Sequence, residues 1–156
     1  MTTKKHLLIL YHTQTGNTER MANAVLSGAM RCEETEAKIL KAFHAKLDDL
    51  LWCDGLIVGT PENFGYLSGG IKDFLDRTYY PAREDPKFVS RPYALFVSAG
   101  NDGTNAIRHF DRIVKGYPLV KVADPILCRG EVTEEALTQC QELGETIANA
   151  LAFGVY

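Results

Sequence analysis

Hydroxyl and amide side chains are concentrated in one short stretch near the N-terminus, where they could bind a phosphate group. Residues 13–18 read Thr-Gln-Thr-Gly-Asn-Thr, between an apolar run from His6 to Tyr11 and a helical pattern from Glu19 to Met30. The start of a helix offers unpaired backbone N–H groups and about half a positive charge. Hydroxyl groups and a flexible glycine there would complete a phosphate cradle. The alternative is an ordinary strand-to-helix turn capped by Thr18.

The cradle lacks the features with which nucleoside triphosphatases hold their substrate. The chain has no G-x-x-x-x-G-K-[ST] motif, and no Lys or Arg lies between His12 and Glu19. It also has no G-x-G-x-x-G motif for a pyrophosphate. Hydroxyls and backbone alone suit one phosphate bound without a metal ion, and we expect no metal site.

The composition is that of a soluble globular protein. The chain has 156 residues and a net charge of −3, so we expect one domain over residues 1–156 and no general affinity for nucleic acid or an anionic membrane. No apolar run approaches the roughly 18 residues that span a bilayer. The polar residues Met1 to Lys5 lead straight into the first strand, so we expect no signal peptide and a cytoplasmic location.

The cysteines are scattered and form no C-x-x-C motif. We interpret them as buried or idle thiols of a reducing cytosol, in preference to a metal site or a disulfide. They are Cys32, Cys53, Cys128 and Cys140.

Apolar runs alternate with helical patterns along the whole chain. The predicted strands are Leu7–Tyr11, Glu36–Phe43, Gly55–Gly59, Tyr93–Val97 and Leu119–Ala123, the last possibly extending to Leu127. The predicted helices are Glu19–Met30, Leu47–Trp52, one with a face from Leu67 to Thr78, Ala106–Val114, and one that begins at Thr133. The polar stretch from Pro81 to Arg91 holds two prolines and is predicted to be a loop. This alternation predicts an α/β fold with a doubly wound, five-stranded parallel sheet and right-handed crossovers.

Two further loops are rich in Gly, Asn and hydroxyl groups. Residues 60–70 follow the third strand and residues 98–103 follow the fourth. In the order 2-1-3-4-5, the carboxyl ends of strands 1, 3 and 4 are neighbours, and such sheets bind ligands outside those ends. Three loops that converge on one crevice favour a binding site over a set of structural turns.

The three loops together resemble those of the flavodoxin-like FMN-binding proteins. Thr13-Gln-Thr-Gly-Asn-Thr18 resembles the flavodoxin phosphate loop, [ST]-x-[ST]-G-x-T. Gly59-Thr-Pro-Glu-Asn-Phe-Gly65, with Ser68-Gly-Gly-Ile-Lys-Asp-Phe-Leu-Asp-Arg77 after it, is similar to the flavin loop of NAD(P)H-dependent FMN oxidoreductases and quinone reductases. Ser98-Ala-Gly-Asn-Asp-Gly103 matches the position of their third flavin loop. The resemblance covers nearly the whole chain. It implies a flavodoxin-like, doubly wound α/β fold with the strand order 2-1-3-4-5, and FMN as cofactor.

The resemblance also implies which residues hold FMN. The phosphate would lie on Thr13, Gln14, Thr15, Gly16, Asn17 and Thr18. Pro61, Glu62, Asn63, Phe64 and Gly65 would border the isoalloxazine ring. Ser98, Ala99, Gly100, Asn101 and Gly103 would cover its pyrimidine end. Flavin carries the redox chemistry itself, so no catalytic acid or base is expected.

The chain departs from the electron-transfer flavodoxins, many of which stack an aromatic residue from each ring loop on the flavin. Here the second loop offers only Phe64, with Tyr66 nearby, and the third loop has no aromatic residue. At least one face of the ring is therefore expected to be open. Glu62 would place a carboxylate near the flavin or its substrate, or would cap a loop backbone. We expect His12 to be a packing residue at a strand end.

Two functions fit this resemblance. The first is an FMN-dependent oxidoreductase that takes electrons from NAD(P)H and reduces a quinone or a similar small-molecule acceptor. The second is a flavodoxin that carries single electrons to a redox partner, although a net charge of −3 offers only weak steering. The open ring face favours the oxidoreductase. An apolar patch of Tyr66, Tyr79, Tyr80 and Pro81 could support a homodimer, or could pack within the subunit.

Two other classes of protein with related folds are excluded. A response regulator needs an acidic pair after the first strand and an Asp after the third, where this chain has His12-Thr13 and Thr60-Pro61. A low-molecular-weight phosphatase needs C-x₅-R, which no cysteine of this chain provides.

Overall fold

A parallel β-sheet lies at the centre of the structure, with helices on both faces. The computed structural model of the protein describes residues 3–156. The strands are β1 (Lys5–Tyr11), β2 (Thr35–Lys41), β3 (Gly55–Pro61), β4 (Arg91–Ala99), β5 (Leu119–Lys121) and β6 (Ile126–Arg129). The helices are α1 (Asn17–Ala29), α2 (Leu47–Trp52), α3 (Gly69–Glu84), α4 (Thr104–Val114) and α5 (Glu134–Ala152), with a 3₁₀ turn at Ala42–His44.

The strand order is β2-β1-β3-β4-β5, which confirms the predicted fold. The fifth position differs from the prediction because two short strands fill it. β5 pairs with Arg91–Tyr93, and β6 pairs with Phe96–Ala99 on the same strand. The interruption between them contains Pro125, which has no N–H to donate to a ladder. β5 and β6 therefore pair with two successive parts of the same edge of β4. The chain reaches the carboxyl end of the sheet at Arg129.

Side chains of β1 alternate between two hydrophobic clusters, which explains its continuous apolar run. Leu8 and Leu10 belong to the cluster under α2, α3 and α4. Leu7 and Ile9 belong to the cluster under α1 and α5. All four side chains are 0% exposed, so this strand is covered on both faces, as a parallel sheet requires.

The predicted loop from Pro81 to Arg91 is confirmed for residues 85–90 and wrong for residues 81–84, which are helical, and for Arg91, which begins β4. Helix α3 continues through Pro81 and ends at Glu84. A proline inside a helix removes one backbone hydrogen bond. Beyond it, however, Ala82 is 0% exposed and Phe88 is 1% exposed within the same hydrophobic cluster. The helix thus continues through Pro81 with its next residue buried, and this could not be read from the local polarity of the segment.

Other boundaries follow the predictions closely. Thr133 caps α5 by accepting a hydrogen bond from the N–H of Ala136 at 3.1 Å. The four cysteines are buried, as predicted. Burial raises the pKa of Cys53 and of Cys140 to about 12, so neither is a ready nucleophile. Among residues 3–156, no helix combines the length and the apolar character that crossing a membrane requires.

Candidate functional site

The first loop connects β1 to α1 through a glycine in the left-handed conformation. Gly16 has φ 101° and precedes the first residue of α1, Asn17. Its N–H donates to the hydroxyl of Thr13 at 3.0 Å, which holds the turn. Among residues 3–156, no side chain caps the helix, and Thr18 is its second residue. The prediction that Thr18 caps α1 is therefore wrong: the helix begins at Asn17, two residues earlier than predicted, because Gly16 can take a positive φ.

This turn leaves a concave set of backbone donors. Within residues 3–156, no hydrogen bond engages the N–H groups of Thr15, Asn17 or Thr18. Gln14 and Thr15 are exposed, and a Cβ placed on Gly16 would meet no atom within 4 Å. Unpaired N–H groups at the start of a thirteen-residue helix fit a single phosphate group bound without metal. The residues present therefore fit the phosphate end of FMN.

The hydroxyl of Thr18 turns away from that concavity. It lies 2.7 Å from the hydroxyl of Ser98, and the two residues are 1% and 5% exposed. This buried contact joins the start of α1 to the end of β4 beneath the loops. Thr18 can offer a phosphate its backbone N–H, while its hydroxyl is engaged in the interior.

The second loop carries a fully exposed aromatic side chain on a tight turn. The N–H and C=O groups of Asn63 and Tyr66 bond reciprocally at 2.9 and 3.0 Å. The two residues between them, Phe64 and Gly65, have φ values of 54° and 71°. A positive φ is uncommon for phenylalanine and costs roughly 1–2 kcal/mol. The relative exposure of Phe64 is 107%, so no packing against the described residues offsets this cost.

The base of the second loop is firmly held. The buried hydroxyl of Thr60 accepts a hydrogen bond from the N–H of Ser68 at 2.9 Å. The hydroxyl of Ser68 in turn caps α3 by accepting from the N–H of Ile71 at 3.3 Å. The ring of Tyr66 packs against that of His109 in α4, with centroids 4.9 Å apart. A firmly held base thus presents the exposed aromatic side chain of Phe64.

The third loop is bound to the second by a carboxylate. Ser98 and Ala99 are the last residues of β4, so the irregular part is residues 100–103. The Oε2 atom of Glu62 accepts a hydrogen bond from the N–H of Gly103 at 2.7 Å. Of the two roles predicted for Glu62, the structure shows the second, in which its carboxylate caps a loop backbone. On the outer side, Nε of Arg129 donates to the carbonyl of Asp102 at 2.7 Å.

His12 lies beside the phosphate loop and packs against its neighbours. Its ring meets that of Phe43 edge-on, with centroids 5.4 Å apart, and a Cβ on Gly70 would lie 2.8 Å from its Cγ atom. Its Nδ1 atom is buried and has no hydrogen-bond partner within residues 3–156. Burial lowers the pKa of His12, so the ring is neutral at pH 7. The prediction of a packing residue is confirmed.

The proposed aromatic patch is not continuous. Tyr66 lies at the loop edge, whereas Tyr79 packs against Tyr80 and Tyr117 at centroid distances of 5.1 and 5.2 Å. Tyr79 is ten residues along α3 from Gly69, which corresponds to about 15 Å of helix. The tyrosines of α3 therefore lie far from the second loop.

The structure brings together all three loops at the carboxyl ends of β1, β3 and β4, as the sequence predicted. It also shows that Thr60 and Ser68, which lie in the motif of the second loop, hold the base of that loop, and it adds two residues that sequence reasoning missed, Arg129 and His109. Arg129 and His109 hold loops two and three from elements later in the chain. No local motif marked them, since their contacts depend on the tertiary packing of β6 and α4.

Comparison with known proteins agrees with this geometry. Residues 17–134, about three quarters of the chain, match the family described as NADPH-dependent FMN reductase. The chain belongs to this family. The family and the flavodoxin-like fold predicted from the loops are thereby confirmed, and FMN is the cofactor that the family description names.

Relatives of this FMN reductase family member include both quinone reductases and flavodoxins. The chain is 38% identical over 112 residues to an NAD(P)H dehydrogenase (quinone) of Acidithiobacillus ferrooxidans, covering 59% of the chain and 56% of that protein. It is 44% identical over 70 residues to a flavodoxin of Aquifex aeolicus, covering 45% of the chain and 38% of that protein. The chain thus spans less than two thirds of the length of either relative. A flavodoxin of Clostridium beijerinckii is 29% identical over 143 residues, covering 90% of the chain and 98% of that protein.

Solved structures share the fold at low sequence identity. A flavodoxin from the domain Archaea superposes with a TM-score of 0.80 at 21% identity, covering 94% of this chain and 98% of the other. A WrbA-like flavodoxin of Agrobacterium tumefaciens gives a TM-score of 0.77 at 21% identity, covering 97% and 99%.

Proposed function

We propose that this protein is an FMN-dependent oxidoreductase that takes electrons from NAD(P)H and passes them to a quinone or a similar small-molecule acceptor. Bound FMN supplies the redox chemistry, and the protein holds it and tunes its reactivity. The family and the quinone dehydrogenase of A. ferrooxidans support this proposal.

The chain's own residues have distinct tasks in this proposal. The free backbone N–H groups of Thr15, Asn17 and Thr18 bind the phosphate, together with the side chains of Thr13, Gln14, Thr15 and Asn17. Residues 61–65 border the ring, and residues 98–101 with Gly103 lie at its pyrimidine end. Free N–H groups of the third loop can stabilise negative charge there. No side chain is assigned as a proton donor or acceptor.

The observation that carries the proposal is the asymmetry between the two ring loops. Phe64 is fully exposed in the second loop, whereas residues 100–102 of the third loop are exposed and include no aromatic residue. Phe64 can cover one face of a ring while the third loop leaves the other face accessible. Hydride transfer needs a nicotinamide at about 3–3.5 Å from the ring, and a face without a covering side chain permits that approach.

The second candidate is a carrier of single electrons. The flavodoxin of C. beijerinckii, of which this chain covers 98%, favours this alternative. A carrier usually recognises a protein partner through complementary charge. The net charge of −3, with Lys and Arg spread along the chain, offers little of it, and we place the carrier second.

The test is a reductive titration of the purified protein with FMN. We expect a yellow complex that NADH or NADPH bleaches without added enzyme, and that a quinone restores to yellow. A yellow complex bleached only by dithionite would favour the carrier. A protein that gains no FMN absorbance would contradict both candidates.

A further inference from the structure

Glu62 binds both ends of the third loop. Its backbone N–H donates to the carbonyl of Ser98 at 2.8 Å, at the start of that loop. Its carboxylate accepts from the N–H of Gly103 at 2.7 Å, at the end of the loop. One residue of the second loop thereby fixes the separation between the two loops. A hydrogen bond to a charged acceptor is typically about twice as strong as one between neutral groups.

Gly103 is a fixed anchor for this contact. It has φ 80°, is buried, and precedes the first residue of α4. A Cβ at this position would lie 2.4 Å from Cδ1 of Leu127 and 2.9 Å from Cβ of Ala99, so the backbone is packed tightly against β4 and β6. The carboxylate of Glu62 also lies at the N-terminus of an eleven-residue helix, where the helix dipole favours negative charge.

Between its two fixed ends, the third loop has unused donors. In the described part of the chain, no hydrogen bond engages the N–H of Gly100, Asn101 or Asp102. The carbonyl of Asp102 is held from outside by Arg129. The contact between Glu62 and Gly103 therefore holds in place a row of free N–H groups, and it puts a negative charge beside them.

We propose that Glu62 is a positioning residue that sets the gap between the two ring loops and, through its charge, lowers the reduction potential of the bound flavin. This inference rests on the proposed function, because it assumes that the ring lies between these loops. The fixed carboxylate opposes the negative charge that reduction adds nearby, whereas the N–H groups that it holds in place favour that charge. Removing the charge alone should therefore raise the potential, whereas removing the whole side chain should also release the N–H groups that it holds in place.

Two variants separate these effects. Glu62→Gln keeps an oxygen that can accept from Gly103 and removes the charge, while Glu62→Ala removes both. Glu131→Gln is the matched control, because Glu131 is an exposed carboxylate just beyond β6 at the same edge of the sheet. Among the described residues its side chain makes no hydrogen bond or ion pair.

The first measurement is hydrogen exchange of the Gly103 amide in the flavin-free protein. We expect Glu62→Ala to exchange at least about tenfold faster than wild type, with Glu62→Gln within about threefold of wild type. The second is FMN affinity, which we expect to fall about tenfold in Glu62→Ala and less than about threefold in Glu62→Gln. The third is the midpoint potential. A threefold to tenfold shift in favour of reduced FMN in Glu62→Gln corresponds to a rise of about 15–30 mV for a two-electron couple.

Unchanged exchange of the Gly103 amide in Glu62→Ala would overturn the positioning role. An equal rise in potential in Glu131→Gln would overturn the tuning role, since any surface carboxylate would then have the same effect. A wild-type protein that binds no FMN would contradict the proposed function, whereas exchange in the flavin-free protein still decides the positioning role.

Discussion

The exposed Thr15 and the buried Thr18 contribute to the first loop in different ways. Thr15 is exposed and has no hydrogen-bond partner within residues 3–156, so its hydroxyl is available to a phosphate. We expect Thr15→Val to weaken FMN binding about fivefold to tenfold, the effect of losing about 1–1.4 kcal/mol, because one hydrogen bond to a charged ligand is lost. The free energy of unfolding of Thr15→Val in urea should stay within about 0.5 kcal/mol of wild type.

The matched control for Thr15 is Thr138→Val, which changes an exposed threonine on α5 outside the three loops. It should leave both FMN affinity and stability unchanged. If Thr15→Val lowers stability as much as it lowers affinity, the loop is a structural turn and the phosphate site is wrong.

Thr18→Val is expected to affect folding. It removes the partner of the Ser98 hydroxyl, which is only 5% exposed, and an unpaired buried hydroxyl costs about 1–3 kcal/mol. Urea unfolding of Thr18→Val, Ser98→Ala and the double variant tests this. We expect the double variant to lose less stability than the sum of the single variants by about 1 kcal/mol. Strict additivity would show that the two hydroxyls do not interact.

At the scale of whole elements, α1 is placed by a close contact with α5. A Cβ on Gly144 would lie 2.0 Å from the carbonyl oxygen of Val25, and one on Gly28 would lie 1.8 Å from that of Gln141. The two helices thus approach each other through glycines on both sides. Because the phosphate loop leads into α1, this contact also fixes the position of the loop relative to the sheet.

We expect Gly144→Ala to lower stability by about 3 kcal/mol or more, although alanine is otherwise the better helix residue by about 1 kcal/mol. The new methyl group would press on backbone, which cannot move aside as a flexible side chain can. Gly69→Ala in α3 is the control, since a Cβ there meets nothing within 4 Å, and it should be neutral or stabilising. Thermal unfolding of the two variants measures the difference, and equal melting temperatures would contradict the contact.

Sequence patterns predicted elements well where a local signal determined them. The alternation of apolar runs and helical patterns predicted the doubly wound parallel sheet, the resemblance of the loop motifs supplied the strand order, and Thr133 marked the start of α5 correctly. They failed at Pro81 and Pro125, where the outcome depended on what the next residues bury or pair with. In the site, Thr13 to Thr18 carried a local motif. The contact between Thr18 and Ser98 spans eighty residues and has no local signature.

For the whole molecule, two expectations from the sequence stay predictions. One is a single domain over residues 1–156, with which the two hydrophobic clusters on either face of one sheet agree.

The other is a homodimer. Tyr80 is 67% exposed and Val89 is 57% exposed, but Tyr79 packs within the subunit, so the patch is smaller than predicted. Size-exclusion chromatography with light scattering should show whether a dimer forms, and a 17 kDa species at working concentration would exclude it.

The charge of the whole molecule separates the two candidate functions. The net charge is −3, and at the loop edge Asp102 and Arg129 pair at 3.4 Å, which leaves little unbalanced charge to attract a partner over a distance. We expect kcat/KM for reduction of a neutral quinone to change less than about twofold between 50 and 500 mM salt. A surface that steers a protein partner would instead lose rate steeply over this range, because the Debye length falls from about 14 Å at 50 mM to about 4 Å at 500 mM. Electron transfer to a basic redox protein that is fast at low salt and falls tenfold or more at high salt would therefore favour the carrier, even if quinone reduction is also observed.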